Sequence, residues 1–137
     1  MLRPEVIRRR LNNLDTYLSI LEKQKQYSYE EFIENPERYG SSERFLHLAI
    51  ESINDMANHI ISTQNLGPIE WYSDLPMLFL KHNYIDSELK EEWIRMIGFR
   101  NTLVHEYVEI DRSIVFEVLQ SKIPVFNKLR KVFAGFL

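Results

Sequence analysis

The segment that decides the fold reads FLHLAIESINDMANHII and spans residues 45–61. Its apolar and small side chains recur at spacings of three and four, which places them on one face of a helix. They are Phe45, Leu48, Ala49, Ser52, Ile53, Met56, Ala57, Ile60 and Ile61. Ser41 and Ser42 are suitable helix caps, and Asn65-Leu66-Gly67-Pro68 is a strong stop signal. We therefore expect a long central helix from about Ser41 to about Gln64.

The same helical periodicity continues on both sides of this segment. Further helices are predicted from Pro4 to about Gln26, Ser28 to about Asn35, Ser73 to about His82, Asp86 to around residue 105, and Asp111 to near residue 133. Ser28 and Glu31 have the spacing of a capping box, and Asp111 is the predicted cap of the last helix. Pro124 predicts a kink in the last of them, because a proline inside a helix removes a hydrogen bond. We expect an all-α fold, with one domain over residues 1–137. Its predicted form is an antiparallel four-helix up-and-down bundle with one or two short extra helices.

Composition and charge limit the function classes. The chain has 137 residues, of which 45% are hydrophobic, and its net charge is −3. This charge argues against a protein that coats nucleic acid through bulk electrostatics. The basic run Arg3, Arg8, Arg9 and Arg10 is more typical of a solvated helix face than of a nucleic-acid patch. There is no cysteine, which excludes disulfides and thiolate sites and fits a reducing cytosol. The N-terminal segment lacks the apolar run of a signal peptide or membrane span.

The candidate site is the segment Arg100-Asn101-Thr102-Leu103-Val104-His105-Glu106-Tyr107. Arg100 falls on the apolar stripe of its helix, where a solvent-facing arginine is not expected. Its planar cation suits phosphate oxygens, and a histidine can pass a proton in either direction near neutral pH. Two interpretations fit this spacing: a buried Arg–Glu pair with a histidine hydrogen-bonded at the helix end, and a site that cleaves phosphodiesters. The spacing alone favours the first.

This segment resembles the signature of the HEPN-superfamily ribonucleases, and it is most similar to that of the HepT-like toxins: Arg, four residues, His, one residue, Tyr. The similarity extends to Met96-Ile97-Gly98-Phe99 before the motif and to the long central helix. The resemblance implies a HEPN-like bundle and an endoribonuclease that needs no metal and no cofactor. It also implies that Arg100 holds the phosphate, His105 handles protons and Asn101 supports them. Attack by the 2′-OH would then leave a 2′,3′-cyclic phosphate.

The resemblance further implies the toxin of a type VII toxin–antitoxin pair, acting in the cytoplasm on mRNA or tRNA and independent of membranes. Its partner would be a minimal nucleotidyltransferase antitoxin of the MntA type, which transfers AMP to Tyr107. A bulky anion beside His105 would block RNA. The family implies a homodimer with two motifs along one cleft, and a hetero-oligomer with the antitoxin. The alternative is a non-catalytic helical partner that binds nucleotide or the nucleotidyltransferase.

Other polar and aromatic residues give weaker signals. The spacing of His47, His59 and His82 matches no metal site, and we interpret His59 as a packing residue. Asn54 and Asp55 fit a supporting role at the cleft and a solvated helix face equally well. Trp71 and Tyr72 favour capping of the bundle end over stacking on a base, because large aromatics usually serve packing.

Overall fold

The computed structural model describes residues 2–105 and 110–137, and within these ranges the chain forms seven α-helices and no strand. The helices are α1 (Pro4–Gln24), α2 (Tyr29–Glu34), α3 (Pro36–Gln64), α4 (Asp74–Lys81), α5 (Ser87–His105), α6 (Arg112–Ser121) and α7 (Ile123–Ala134). The predicted all-α class is confirmed.

Four long units form the bundle: α1, α3, α5 and the consecutive pair α6–α7. Side-chain contacts between them join early residues of one unit to late residues of the next. These pairs are Arg3–His59 and Tyr17–Phe45 for α1 and α3, Asn54–Trp93 and Glu51–Arg100 for α3 and α5, and Asp15–Arg130 and Lys25–Gln120 for α1 and α6–α7. α3 is therefore antiparallel to α1 and to α5, and α1 is antiparallel to the α6–α7 pair, which gives the predicted up-and-down order.

The core confirms most of the stripe that the sequence indicates for α3, because Ala49, Ser52, Ile53, Met56, Ala57, Ile60 and Ile61 are buried. At the start of the stripe, the predicted Phe45 and Leu48 are only half-buried, and Leu46 and Ile50 are buried in their place. At one end of the bundle, the ring of Phe79 from α4 packs edge-on against Trp93 and Phe133, with centroid distances of 5.3 and 5.6 Å. Such aromatic contacts add to the free energy gained by burying apolar area.

The predicted start of α3 at Ser41 and Ser42 is wrong. The helix begins at Pro36, and the side chain of Asn35 caps it by accepting a hydrogen bond from the backbone N–H of Glu37 (2.9 Å). Proline is well suited to the first turn of a helix, since the missing N–H has no partner there. Pro36 therefore starts α3, and Gly40 lies within the helix.

The other helix ends follow their predicted signals more closely. Ser28 and Glu31 form the expected capping box, and the carboxylate of Asp111 caps α6 by accepting from the N–H of Ser113 (2.9 Å). Pro124 has a stronger effect than a kink, because the last helix divides at Lys122 into α6 and α7. The extra helix explains why residues 2–105 and 110–137 contain seven helices instead of the six expected.

The connection between α3 and α4 runs back along the bundle toward the middle of α5. Asn65 ends α3 in a left-handed conformation (φ 52°). Gly67 follows with φ +148°, and a Cβ there would lie 2.7 Å from a methyl carbon of Leu78. Near the start of the connection, a ring nitrogen of His82 lies 2.9 Å from the carbonyl oxygen of Leu66. Along this path, Trp71 and Tyr72 lie at the level of Arg100.

Asn54 and Trp93 make a buried polar contact between α3 and α5. The indole N–H of Trp93 donates to Oδ1 of Asn54 at 3.0 Å, and the two residues are 0% and 1% exposed. A buried donor without a partner costs about 1–3 kcal/mol. This bond therefore helps to select the register in which α5 lies against α3.

Asn54→Ala is expected to lower the free energy of unfolding by about 1–3 kcal/mol, because the indole N–H stays buried without its acceptor. Asn58→Ala is the matched control, since Asn58 is an exposed asparagine one turn later on the same helix. Urea denaturation of both variants, followed by circular dichroism, measures the difference. Equal losses in the two variants would show that the buried bond adds nothing.

Candidate functional site

Arg100 is held against α3 by an ion pair. Its Nε donates to Oε1 of Glu51 at 2.5 Å, and the two side chains are 14% and 27% exposed. Arg100 lies one turn beyond the buried residues Met96 and Ile97, so α5 directs it toward the interface with α3. The Arg–Glu pair that the spacing favours is therefore present. The arginine is oriented rather than free in solvent.

Asn101 contacts the same guanidinium. Its Oδ1 accepts a hydrogen bond from Nη1 of Arg100 at 3.2 Å, although Asn101 is otherwise exposed on α5. Two neighbouring groups thus hold Nε and Nη1, while Nη2 has no hydrogen-bond partner among the described residues. A guanidinium that two neighbours orient, with Nη2 still able to donate, is arranged to accept an anion.

Arg100 lines a cleft of about 440 Å³ together with Trp71, Tyr72, Ser73, Ile97 and Asn101. The guanidinium carbon lies 4.9 Å from the centre of the Tyr72 ring, within the range of a cation–π contact. Trp71 is 71% exposed and Tyr72 is 42% exposed. The interpretation that these aromatics cap the bundle end is wrong, because they line the cleft beside Arg100 instead.

His47 is a neighbour of the site that the sequence pattern did not single out. Its Nε2 lies 3.8 Å from Oε1 of Glu51, one turn away on α3. Burial lowers the pKa of His47; the Glu51 carboxylate opposes this shift, whereas Arg100 and Arg44 add to it. The histidine therefore favours its neutral form near pH 7. The spacing of four residues between His47 and Glu51 was the available signal.

Asn54 and Asp55 do not contact Arg100. Asn54 is in the core with Trp93, and Asp55 pairs with Arg10 at 3.5 Å. Burial raises the pKa of Asp55 and the Glu51 carboxylate raises it further, while Arg10 lowers it. The side chain of α3 that supports Arg100 is therefore Glu51 and neither Asn54 nor Asp55. Glu51 lies one helical turn before Asp55, on the same face of α3.

His105 ends α5, and the helix is continuous between Arg100 and His105. Five helical residues correspond to about 7.5 Å along the axis and about 140° around it. The side chain of His105 lies outside the described residues, as does Tyr107. The roles predicted for Arg100, Asn101, His105 and Tyr107 thus remain predictions.

His59 has a hydrogen-bond partner away from the candidate site. Nε2 of His59 accepts from the backbone N–H of Arg3 at 3.1 Å, in keeping with its interpretation as a packing residue. In residues 2–105 and 110–137, no three metal-ligating side chains of His, Asp or Glu converge. Across the same ranges, no helix combines the length and apolar character that crossing a membrane requires.

Comparison with known proteins identifies the family. A family model described as Ribonuclease HepT-like matches residues 14–133. This chain belongs to the HepT-like ribonuclease family. The family and the ribonuclease class predicted from the Arg100–Tyr107 segment are thereby confirmed.

Individual HepT relatives are similar over much of the chain. A tRNA nuclease HepT from Aphanizomenon flos-aquae is 30% identical over 113 residues, covering 82% of this chain and 77% of that protein. An mRNA nuclease HepT from Shewanella oneidensis is 35% identical over 78 residues, covering 57% and 59%. A tri-AMPylated HEPN toxin from Shewanella oneidensis, solved in complex with an MNT antitoxin, has a TM-score of 0.86 and 25% identity over 95% of this chain and 97% of that one.

Glu51 is expected to act in this HepT-like protein by positioning Arg100. Glu51→Ala should lower kcat for RNA cleavage about ten- to hundred-fold, since small displacements of a positioned group are costly. Glu51→Gln keeps an oxygen that accepts from Nε and should restore part of the rate.

Asp55→Ala is the control, because it removes a carboxylate from the same face without touching Arg100. Steady-state cleavage of a fluorescent RNA separates kcat from KM in each variant. Wild-type kinetics in Glu51→Ala would contradict the positioning role.

Proposed function

We propose that this protein is a metal-independent endoribonuclease and the toxin of a type VII toxin–antitoxin pair in the cytoplasm. The observation that carries the proposal is the guanidinium of Arg100, which Glu51 and Asn101 hold at the edge of an open cleft. A fixed planar cation of this kind suits the bidentate binding of a phosphate. Membership of the HepT-like ribonuclease family supports RNA as the source of that phosphate.

The reaction needs a phosphate binder and a proton carrier, because RNA supplies its own nucleophile. The 2′-oxygen loses its proton and attacks the adjacent phosphorus, and the bond from phosphorus to the 5′-oxygen breaks. The products are a 2′,3′-cyclic phosphate and a 5′-hydroxyl, which takes up a proton. Arg100 would stabilise the negative charge that develops on the phosphoryl oxygens. His105 would carry the protons, since a histidine titrates near neutral pH.

The positions of Arg100 and His105 around α5 bear on whether one copy of the chain can bring both residues to the same phosphate. Arg100 lies toward α3, and the backbone of His105 lies about 140° further around the helix. Asn101, one turn before His105, is exposed. A homodimer that aligns two motifs along one cleft, as the HepT resemblance implies, would place both residue types on the same RNA strand.

Control by a nucleotidyltransferase antitoxin completes the proposal. The Shewanella oneidensis HEPN toxin is tri-AMPylated and complexed with an MNT antitoxin, which supports a partner of this MntA-like kind for the present chain. The proposed acceptor is Tyr107, two residues after His105. An AMP group there adds negative charge beside the catalytic histidine and would repel RNA phosphates.

Arg100→Ala and His105→Ala are each expected to reduce RNA cleavage at least 100-fold, because they remove charge stabilisation and proton transfer. The assay uses purified protein with EDTA present, and mass spectrometry of the products should detect the 2′,3′-cyclic phosphate. Arg95→Ala is the matched control, since Arg95 is an exposed arginine of α5 paired with Glu92 away from the cleft.

Full activity in His105→Ala would contradict the proposed mechanism. A stable complex with the nucleotidyltransferase, with no cleavage by the wild type at any concentration, would favour the non-catalytic alternative. Loss of wild-type activity in EDTA that returns with added metal would show that the reaction depends on a metal ion.

AMP transfer should modify Tyr107. Incubation with the partner nucleotidyltransferase and ATP is expected to add one or more AMP masses to the peptide that contains Tyr107, and to inhibit cleavage. Tyr107→Phe should prevent the modification. Tyr72→Phe is the informative control, because Tyr72 is half-exposed in the Arg100 cleft and is the competing acceptor. Modification lost in Tyr72→Phe and retained in Tyr107→Phe would assign the acceptor to Tyr72.

A further inference from the structure

Trp71 has an exposure that packing does not explain. It is 71% exposed, the highest fraction among the exposed large hydrophobic residues of the described chain, whereas Trp93 is fully buried. Leaving so much apolar surface in water is unfavourable. An indole in this position is typical of a residue that binds a ligand, because a single large aromatic provides both contact area and a flat face.

The backbone under Trp71 is held in place. Oδ2 of Asp74 accepts from the N–H groups of Glu70 and Trp71 at 2.8 and 2.9 Å. The N–H of Asp74 donates in turn to the carbonyl of Trp71 at 3.0 Å. The bonds that the carboxylate accepts from Trp71 and Glu70 lower the pKa of Asp74, so this group is charged at neutral pH. The indole therefore stands on a fixed turn, which reduces the entropy lost when it binds a ligand.

The lining of the cleft indicates which ligand fits. Trp71 and Tyr72 supply aromatic surface, Arg100 supplies a cation and Asn101 supplies an amide; among the described residues, no carboxylate lines the cleft. Aromatic faces beside an arginine are the combination that binds single-stranded nucleic acid, with bases on the rings and phosphate on the cation. The volume of about 440 Å³ falls within the range of small-molecule sites and suits one nucleotide.

We propose that Trp71 and Tyr72 form a base-stacking subsite for the RNA nucleotide next to the phosphate held by Arg100. The inference rests on the proposed ribonuclease function and adds a substrate-binding surface outside the Arg100–Tyr107 motif. Because every base offers a stacking face, this subsite strengthens binding of unpaired RNA without strict sequence selection. A base in a duplex is already stacked, so the subsite favours single-stranded regions as substrates.

The test measures binding separately from cleavage. A 2′-O-methyl RNA hexamer has no 2′-OH to attack and stays intact. In the wild type it should quench the fluorescence of the exposed Trp71, with the buried Trp93 as a constant background. Trp71→Phe should lose this quenching and keep most of the affinity. Trp71→Ala should weaken the Kd about ten-fold, from the usual magnitude of base–aromatic stacking; the Kd of each variant is measured from the anisotropy of a dye-labelled hexamer, which does not depend on Trp71.

Met77→Ala is the control, because Met77 is a half-exposed apolar residue of the neighbouring α4 that does not line the cleft. Its Kd should stay within about two-fold of the wild type. A duplex of the same sequence should bind more weakly than the single strand. Both results would support the stacking subsite.

Three outcomes would overturn the proposal. Unchanged hexamer binding in Trp71→Ala would exclude stacking, even with wild-type cleavage intact. Equal affinity for AMP and for the hexamer would identify a mononucleotide site. Loss of self-association or of the nucleotidyltransferase complex in Trp71→Ala, with RNA binding unchanged, would identify a protein interface. Hexamer binding that depends on Trp71, in a wild type that cleaves no RNA, would retain the subsite and reject the ribonuclease function.

Discussion

The ion pair between Arg100 and Glu51 is the interaction on which the site depends. An arginine on the apolar stripe of α5 cannot be buried against α3 without a partner, because an unpaired charge there is costly. Glu51 provides that partner at 2.5 Å and draws the guanidinium to one side of the cleft. In this position the guanidinium carbon of Arg100 lies 4.9 Å from the centre of the Tyr72 ring. A requirement of burial thus determines the geometry available for binding a phosphate.

The register of α5 against α3 makes this pairing available. The buried bond between Trp93 and Asn54 lies about two turns from Arg100 along α5 and one turn from Glu51 along α3. Sliding α5 by one turn would break this bond and would also separate Arg100 from Glu51. The core contact and the site contact therefore select the same arrangement, and the core stabilises the site without contacting a substrate.

The features predicted correctly from the sequence are those set by local chemistry. The α3 stripe, the capping box at Ser28 and the cap at Asp111 depend on neighbours within a few residues. The start of α3 was misplaced because Pro36 both disfavours a preceding helix and suits a first turn. The exposed position of Trp71 depends on a connection that runs back along the bundle, and helical periodicity does not encode such a path. Arg100 was identified because it violated the pattern of its own helix.

The charge balance of the cleft explains why aromatic contacts matter there. The chain carries a net charge of −3, so its overall field does not attract RNA. Glu51 also offsets part of the positive potential of Arg100. The guanidinium is therefore well oriented at short range, but its long-range attraction for RNA is weak. Contacts of short range must then supply most of the affinity, and stacking on Trp71 and Tyr72 is of that kind. A site that depends on close contact is also sensitive to occlusion. Under the proposed control by AMP, a bulky anion on Tyr107 would therefore be enough to exclude the substrate.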